Sequence, residues 1–192
     1  MKKLNEPGKI ILINGASSSG KSTLAFAVRE QFELPLLRFS YDLFLDGDIL
    51  PLAQIKNGRF SWQSLRPAIS DGFYGCLPVL AQAGNNLILD HIVESKAEMA
   101  NLVRLLKGID VFFVGLHCSL EELERREIAR GNRRLGDARA DFALVHSFTT
   151  YDLELNSEEA TVAENVERLI AAWQARQTPT AFDKMAAEIG GE

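Results

Sequence analysis

Five short apolar runs are spaced along the chain, separated by segments of helical spacing. Lys9 to Asn14 read Lys-Ile-Ile-Leu-Ile-Asn, the continuous β-branched pattern of a strand buried on both faces. Leu36–Ser40, Leu87–Asp90 and Val111–Cys118 predict three more strands, and Tyr151–Leu155 alternate as a last short one. Between them, Leu24, Ala25, Val28 and Phe32 recur at helical spacing, and that helix stops before Pro35. Ile69, Phe73, Leu77, Leu80 and Ala81 mark a second amphipathic helix, with a kink expected at Pro78 and an end at Gly84. Ser95 with Glu98 and Ser119 with Glu122 read as capping boxes. The first of these opens a helix carrying Met99, Leu102, Val103 and Leu106, closed by Gly108. Thr161 with Glu164 caps a final helix holding Val162, Val166, Leu169, Ile170 and Trp173.

The pattern lapses in two places. Leu45 to Pro67 show no sustained period and read as a long functional loop; they contain Asp46, Asp48, Phe60 and Trp62. The tail from Thr178 is partly helix-like and is expected to pack loosely. Alternating strands and helices predict an α/β chain with a mainly parallel sheet and right-handed crossovers. A single domain over residues 1–177 is expected, with a tail over 178–192.

Composition narrows the picture. The chain has 192 residues and a hydrophobic content of 46%, enough for a sizeable core. A formal net charge of −5 argues against nucleic acid held by broad phosphate attraction and suits a small-molecule protein. No apolar run reaches membrane-spanning length and no signal-peptide core precedes the first strand, so a cytoplasmic protein with no membrane partner is expected. Cys76 and Cys118 are far apart and read as two buried thiols. Nothing in the pattern marks an oligomeric state.

The chemistry begins between the first strand and first helix. Gly15, Ala16, Ser17, Ser18, Ser19, Gly20, Lys21, Ser22 and Thr23 contain G-x-x-x-x-G-K-S, the P-loop spacing. Small residues let the backbone N–H groups turn inward around a polyphosphate, and the following helix points its positive end at the anion. Lys21 can reach the β- and γ-phosphates, and the Ser22 hydroxyl can ligate Mg²⁺. The strand–loop–helix context favours this reading over an ordinary Gly/Ser turn.

Phosphoryl transfer also needs a metal-positioning carboxylate, cations on the transferring group and a base. Asp90 closes a buried strand at the edge where open α/β sheets bind ligands, and can position Mg²⁺. Asp42 ends the second strand at the same edge and can accept a proton from a substrate hydroxyl, with Asp46 and Asp48 as rivals. Arg130 and Arg133 flank Gly131-Asn132, which suits a lid over about residues 125–140 carrying guanidinium groups onto phosphates. Arg125 and Arg126 read as a solvated, salt-bridged face, and Arg134 and Arg139 are left unassigned. His91, His117 and His146 read as structural hydrogen-bonders. Tyr41, Phe44, Phe60 and Trp62 are candidates for an apolar acceptor pocket, against core packing as the alternative.

These residues carry a resemblance to the chloramphenicol phosphotransferase family, P-loop kinases that phosphorylate a hydroxyl of an antibiotic. It covers most of the chain: Ile-Leu-Ile-Asn-Gly-Ala-Ser-Ser-Ser-Gly-Lys-Ser (11–22), Asp42, Leu-Ile-Leu-Asp (87–90) and Val-Gly-Leu-His-Cys (114–118). Glu-Ile-Ala-Arg-Gly-Asn-Arg (127–133), Val-His (145–146) and Tyr-Asp-Leu-Glu-Leu (151–155) complete it. The resemblance implies a nucleoside-monophosphate-kinase-like, three-layer αβα P-loop NTPase fold with a five-stranded sheet, its third strand beside the first. It implies ATP and Mg²⁺ as cofactors, Asp42 as the base, Arg130 and Arg133 in the lid, and a role in antibiotic resistance. The family strand ends in two aspartates, whereas here Asp90 is followed by His91. The expectation is an ATP-dependent kinase for a small-molecule hydroxyl, chloramphenicol or a related alcohol. The alternatives are another metabolite, nucleoside or sugar-nucleotide acceptor, or a nucleotide-binding regulatory module without transfer activity.

Overall fold

The computed structural model describes residues 6–47, 49–131 and 135–189. Its elements are β1 (Ile10–Asn14), α1 (Lys21–Gln31), β2 (Leu36–Ser40), α2 (Tyr41–Asp46), α3 (Leu52–Lys56), α4 (Trp62–Gln82) and β3 (Asn86–His91). They continue with α5 (Lys96–Leu105), β4 (Val111–His117), α6 (Leu120–Arg130), α7 (Asp137–Leu144), β5 (Leu153–Asn156), α8 (Val162–Ala175) and α9 (Ala181–Ile189). The five strands form one sheet in the order β2-β3-β1-β4-β5, and every pairing is parallel. β3 lies beside β1, as the resemblance implies.

Strand alternation divides the core into two layers. Ile10, Leu12, Leu87, Leu89, Val111 and Phe113 face α4, α5 and α9, where Phe73, Leu77, Leu102 and Phe182 fill the space. Ile11, Ile13, Ile88, Phe112 and Val114 face α1 and α8, packing on Leu24, Val28, Leu169 and Trp173. A smaller cluster of Ala16, Leu123, Ala138 and Val145 joins the P-loop to α6 and α7. Among the described residues no helix is long and apolar enough to cross a membrane.

Three sequence expectations change. The stretch over 45–67 is largely helical: α2 follows β2 directly, α3 intervenes, and α4 starts at Trp62 and runs through both Pro67 and Pro78. Helices of five or six residues are too short to display a period, and α2 is fixed by its cap, the Leu43 N–H donating to Ser40 Oγ at 3.2 Å. Two of the three capping boxes are half-formed. Ser95 and Ser119 accept from the N–H groups of Glu98 and Glu122. The glutamate side chains, however, turn to the Glu94 N–H and to Arg125 and Arg126. The Thr161–Glu164 box is complete.

The tail does not pack loosely. Ala181, Phe182 and Met185 of α9 are buried in the first core layer, with the Phe182 ring edge-on to Phe113 at 5.3 Å. Asp152 anchors the helix, its Oδ1 accepting from the Ala181 N–H at 2.7 Å while Oδ2 accepts from Phe113 N–H at 2.8 Å. Thr180 and Asp183 reciprocate as a cap, a Thr-x-x-Asp signal visible in the chain itself. Phe182→Ala should therefore destabilise the protein by about 3–5 kcal/mol, as for other buried phenylalanines. The urea unfolding midpoint measures this, and an unchanged midpoint would mean that α9 does not share the core.

Candidate active site

The loop between β1 and α1 is held in a conformation that bulkier residues would not permit. A Cβ on Gly15 would lie 2.5 Å from the Leu116 carbonyl oxygen, and Gly20 has φ 95° where α1 begins. Ser18 also adopts a positive φ, 65°, at a cost of about 1–2 kcal/mol for a residue with a side chain. The Ser18 and Ser19 hydroxyls are buried and without a hydrogen-bond partner among the described residues. Lys21 is nearly buried and donates from Nζ to the Ala16 carbonyl at 2.7 Å, across the mouth of the loop. Strained backbone, unspent hydroxyls and a helix N-terminus together form an anion cradle.

Strand register sets what stands opposite. Ile13 pairs with Asp90, and Asp90 in turn pairs with Ser40, so the ends of β1, β3 and β2 align. The Ser22 hydroxyl donates to Asp90 Oδ2 at 2.6 Å. The same oxygen accepts from an Arg38 guanidinium nitrogen at 2.8 Å, in an ion pair whose side chains are only 7% and 4% exposed. Asp90 Oδ1 is buried with no partner among the described residues. An orphaned carboxylate oxygen beside a serine hydroxyl is a hard-oxygen set that fits Mg²⁺. Among the described residues no cluster of three or more His, Cys, Asp or Glu side chains could hold a metal ion unaided.

These residues open into a cavity of about 780 Å³ lined by the P-loop, Asp90, Tyr41, Asp42, Leu45, Trp62, Arg66, His91 and Glu94. Arg126, Arg130, Asp137, Ser157, Ala160, Val162 and Asn165 line its other side. Asp42 stands in the first turn of α2. Of the four aromatic candidates, Tyr41 and Trp62 line the cavity. Phe44 does not: it packs on Phe39 and Phe73 at 6.4 and 5.7 Å, because it falls on the core side of α2. Phe60 does not either; it is 39% exposed on a turn, under the Arg59 guanidinium. Arg66 pairs with Glu94 at 2.6 Å on the cavity wall, which raises its pKa.

His91, in the place of a second aspartate, is buried apart from its edge on the cavity, and its pKa is lowered to about 3, first by burial and then by Lys21. It meets the Tyr74 hydroxyl at 2.8 Å and Glu98 at 3.1 Å, and Tyr74 also donates to Glu98. Burial pushes the Glu98 carboxyl up. His117 and His146 stack at 3.9 Å, and His146 bonds the Tyr151 hydroxyl, which suits structural roles.

The helix pair α6–α7 rises over the nucleotide side. Arg130 lines the cavity; Arg133 and Arg134, like Asp48 and the side chain of Asp46, lie outside the described residues. Arg125 is on the expected solvated face, bonded to Glu122. Arg126 is not. It turns inward to Ser157 Oγ at 3.0 Å and the Ser19 carbonyl at 3.4 Å, a placement that helical spacing one residue on from Arg125 could have suggested. Arg139 pairs with Glu124 at the surface. Buried Glu127 braces the turn before α7, accepting from the Gly136 and Ala138 N–H groups at 2.8 and 2.9 Å. Asp141 on α7 accepts from the Ser17 N–H at 2.8 Å, tying this unit to the P-loop. Asn14 completes the tie: its Nδ2 donates to the Val145 carbonyl and the Tyr151 hydroxyl, and its Oδ1 accepts from the Val93 N–H.

Residues 8–174 match the family described as chloramphenicol phosphotransferase-like protein. A Mycobacterium tuberculosis relative (strain H37Rv), whose name assigns it as an O-phosphotransferase, is 30% identical over 199 residues, covering 93% of this chain and 88% of the relative. Among solved structures, a Mycobacterium tuberculosis APS kinase in complex with AMPPNP and APS superposes with TM-score 0.67 at 20% identity, covering 88% of this chain and 98% of its own. Shikimate kinase from Bacteroides thetaiotaomicron superposes with TM-score 0.61 at 14% identity, covering 86% and 98%. At those identities the likeness bears on the fold, that of P-loop kinases.

The buried neutral His91 has a thermodynamic signature. The unfolded chain takes up its proton near pH 6.5 and the folded chain near pH 3, so its contribution is complete above pH 6.5 and is lost as pH falls toward 3. Wild-type stability should drop by about 2 kcal/mol from this group between pH 8 and pH 5. His91→Gln should lose that part of the slope in urea titrations at the two pH values; an unaltered slope would refute the buried neutral state.

Proposed function

The chain belongs to the chloramphenicol phosphotransferase-like family, phosphotransferases acting on hydroxyl groups, and on that premise we propose that it transfers the γ-phosphoryl group of ATP to a hydroxyl of a small molecule, chloramphenicol or a related alcohol. The observation that carries this reading is that Asp42, Asp90 and the P-loop line one cavity, with the Ser22 hydroxyl bonded to Asp90.

In this reading the loop amides and Lys21 hold the β- and γ-phosphates at the α1 N-terminus. Arg126 and Arg130, and Arg133 with them, supply guanidinium groups to the phosphates from the lid over about residues 125–140. Ser22 and Asp90 would hold Mg²⁺, which when bound neutralises phosphate charge. Asp42 accepts the proton of the acceptor hydroxyl, the freed oxygen forms the new P–O bond, and the bond to the β-phosphate oxygen breaks to release ADP. Tyr41, Trp62 and Leu45 offer the acceptor an apolar wall.

A second acceptor class has one observation in its favour. The Arg66–Glu94 pair faces the same cavity and would suit a polar metabolite, nucleoside or sugar nucleotide. A regulatory module has less support, since nucleotide sensing needs no carboxylate at the acceptor side.

The test is product formation by purified protein with ATP, Mg²⁺ and chloramphenicol, read by mass spectrometry as a phosphorylated product, followed by a library of alcohols. Asp42→Asn should bind ATP normally and lose transfer by about 10²–10⁴-fold, the usual worth of a general base. Equal turnover by wild type and Asp42→Asn would remove Asp42 from the mechanism. Failure to bind ATP would end the kinase reading.

A further inference from the structure

Arg38 stands where an apolar residue would suit the fold better. It is the middle residue of β2, paired in register with Ile88, whose side chain packs in the layer shared with α1. Its side chain is 7% exposed and its Nε has no hydrogen-bond partner among the described residues. A buried ion pair is commonly no better for stability than an apolar pair of the same size, so stability alone gives little reason for a charge here. The Phe26 ring covers the guanidinium at 4.3 Å, which holds it in place through a cation–π contact.

The guanidinium reaches Asp90 from outside the cavity: Asp90 lines the cavity, whereas Arg38 does not and bonds the Asp90 carboxylate at 2.8 Å. It bonds Oδ2, the oxygen that also accepts from Ser22, and leaves Oδ1 unpartnered. The position after Asp90 is occupied by a histidine rather than a second carboxylate. The carboxylate at this strand end is therefore balanced by a fixed positive charge in a poorly solvated place, where charges act strongly on one another.

We propose that Arg38 is a positioning residue that orients Asp90 and cancels its charge, so that the Ser22–Asp90 site does not retain a divalent cation until nucleotide phosphates bring their own negative charge. The cation then enters with the nucleotide rather than ahead of it. Ser22 and Asp90 offer an orphaned oxygen but too little net charge to hold a doubly charged ion alone. The inference rests on the reading of Ser22 and Asp90 as the metal contacts.

Direct Mn²⁺ binding to the nucleotide-free protein, followed by electron paramagnetic resonance of the free ion, tests it without relying on turnover. Wild type should bind Mn²⁺ far more weakly alone than with ADP present. Equal affinity in the two conditions would overturn the proposal with no variant needed. Arg38→Gln and Arg38→Met should each bind Mn²⁺ without nucleotide at least about tenfold more tightly than wild type, the effect of removing one adjacent charge. Arg38→Lys, which keeps the charge, should stay near wild type. A merely structural arginine would alter thermal stability but leave Mn²⁺ affinity unmoved, and that result would also overturn the proposal. Adding Asp90→Asn to Arg38→Gln should abolish the gain. A gain that survives places the ion elsewhere, and so refutes the metal assignment to Asp90 rather than the phosphotransfer reading.

Discussion

Ile10–Asn14 have no exposed surface and are paired on both edges, with β3 on one side and β4 on the other. A strand so enclosed can neither slip nor tilt, because a shift of one residue would turn each layer's side chains to the opposite face. Its end is therefore a fixed point, and the P-loop departs from it at the crevice where the order of strands reverses. The Ile13–Asp90–Ser40 row carries that fixity outward. The metal-type carboxylate and the start of α2 sit at one level because the ladder leaves them no alternative.

The α6–α7 side is tied to the end of the same strand and to the P-loop by polar contacts beside the small apolar cluster of Ala16, Leu123, Ala138 and Val145. Asn14, at the end of β1, uses both halves of its amide to bind three segments that are far apart in sequence. Asp141 reaches the P-loop amide of Ser17, and Glu127 holds the turn into α7. Buried polar groups satisfied in this way are costly to rearrange, since each broken bond would leave a donor or acceptor unpaired. The base of α6–α7 is thus tied to the P-loop at several points.

Charge is distributed unevenly across the cavity. In the proposed function Lys21, Arg126 and Arg130 serve the phosphates, and the acceptor is met by Asp42 and the Arg66–Glu94 pair, with neutral His91 in the same lining. His91 is held by its bonds to Tyr74 and Glu98. Arg38 and Asp90 cancel each other's charge.

Much of this was legible from the chain. The P-loop is a contiguous motif whose chemistry is local, and the place of Asp42 and Asp90 on the cavity lining follows from the rule that open α/β sheets bind ligands beyond their strand ends. The strands and long helices declare themselves by period, and the Thr161 box by its spacing. Other features arise across elements, where period says which residues share a face but not what that face meets. Tyr41 and Phe44 of the short α2 both pack on Phe73, and of the two Tyr41 alone also lines the cavity. Arg126 turned toward Ser157 and Glu98 toward Tyr74 and His91, for contacts supplied by other segments, while Glu122 turned to Arg125 and Arg126 of its own helix. Arg38 was invisible because its partner lies 52 residues away, brought alongside by strand pairing alone. The sequence by itself determined the local conformations and the phosphate-binding loop, since these depend on near neighbours. The tertiary structure decided which charges face one another, because that depends on the order in which strands are laid side by side.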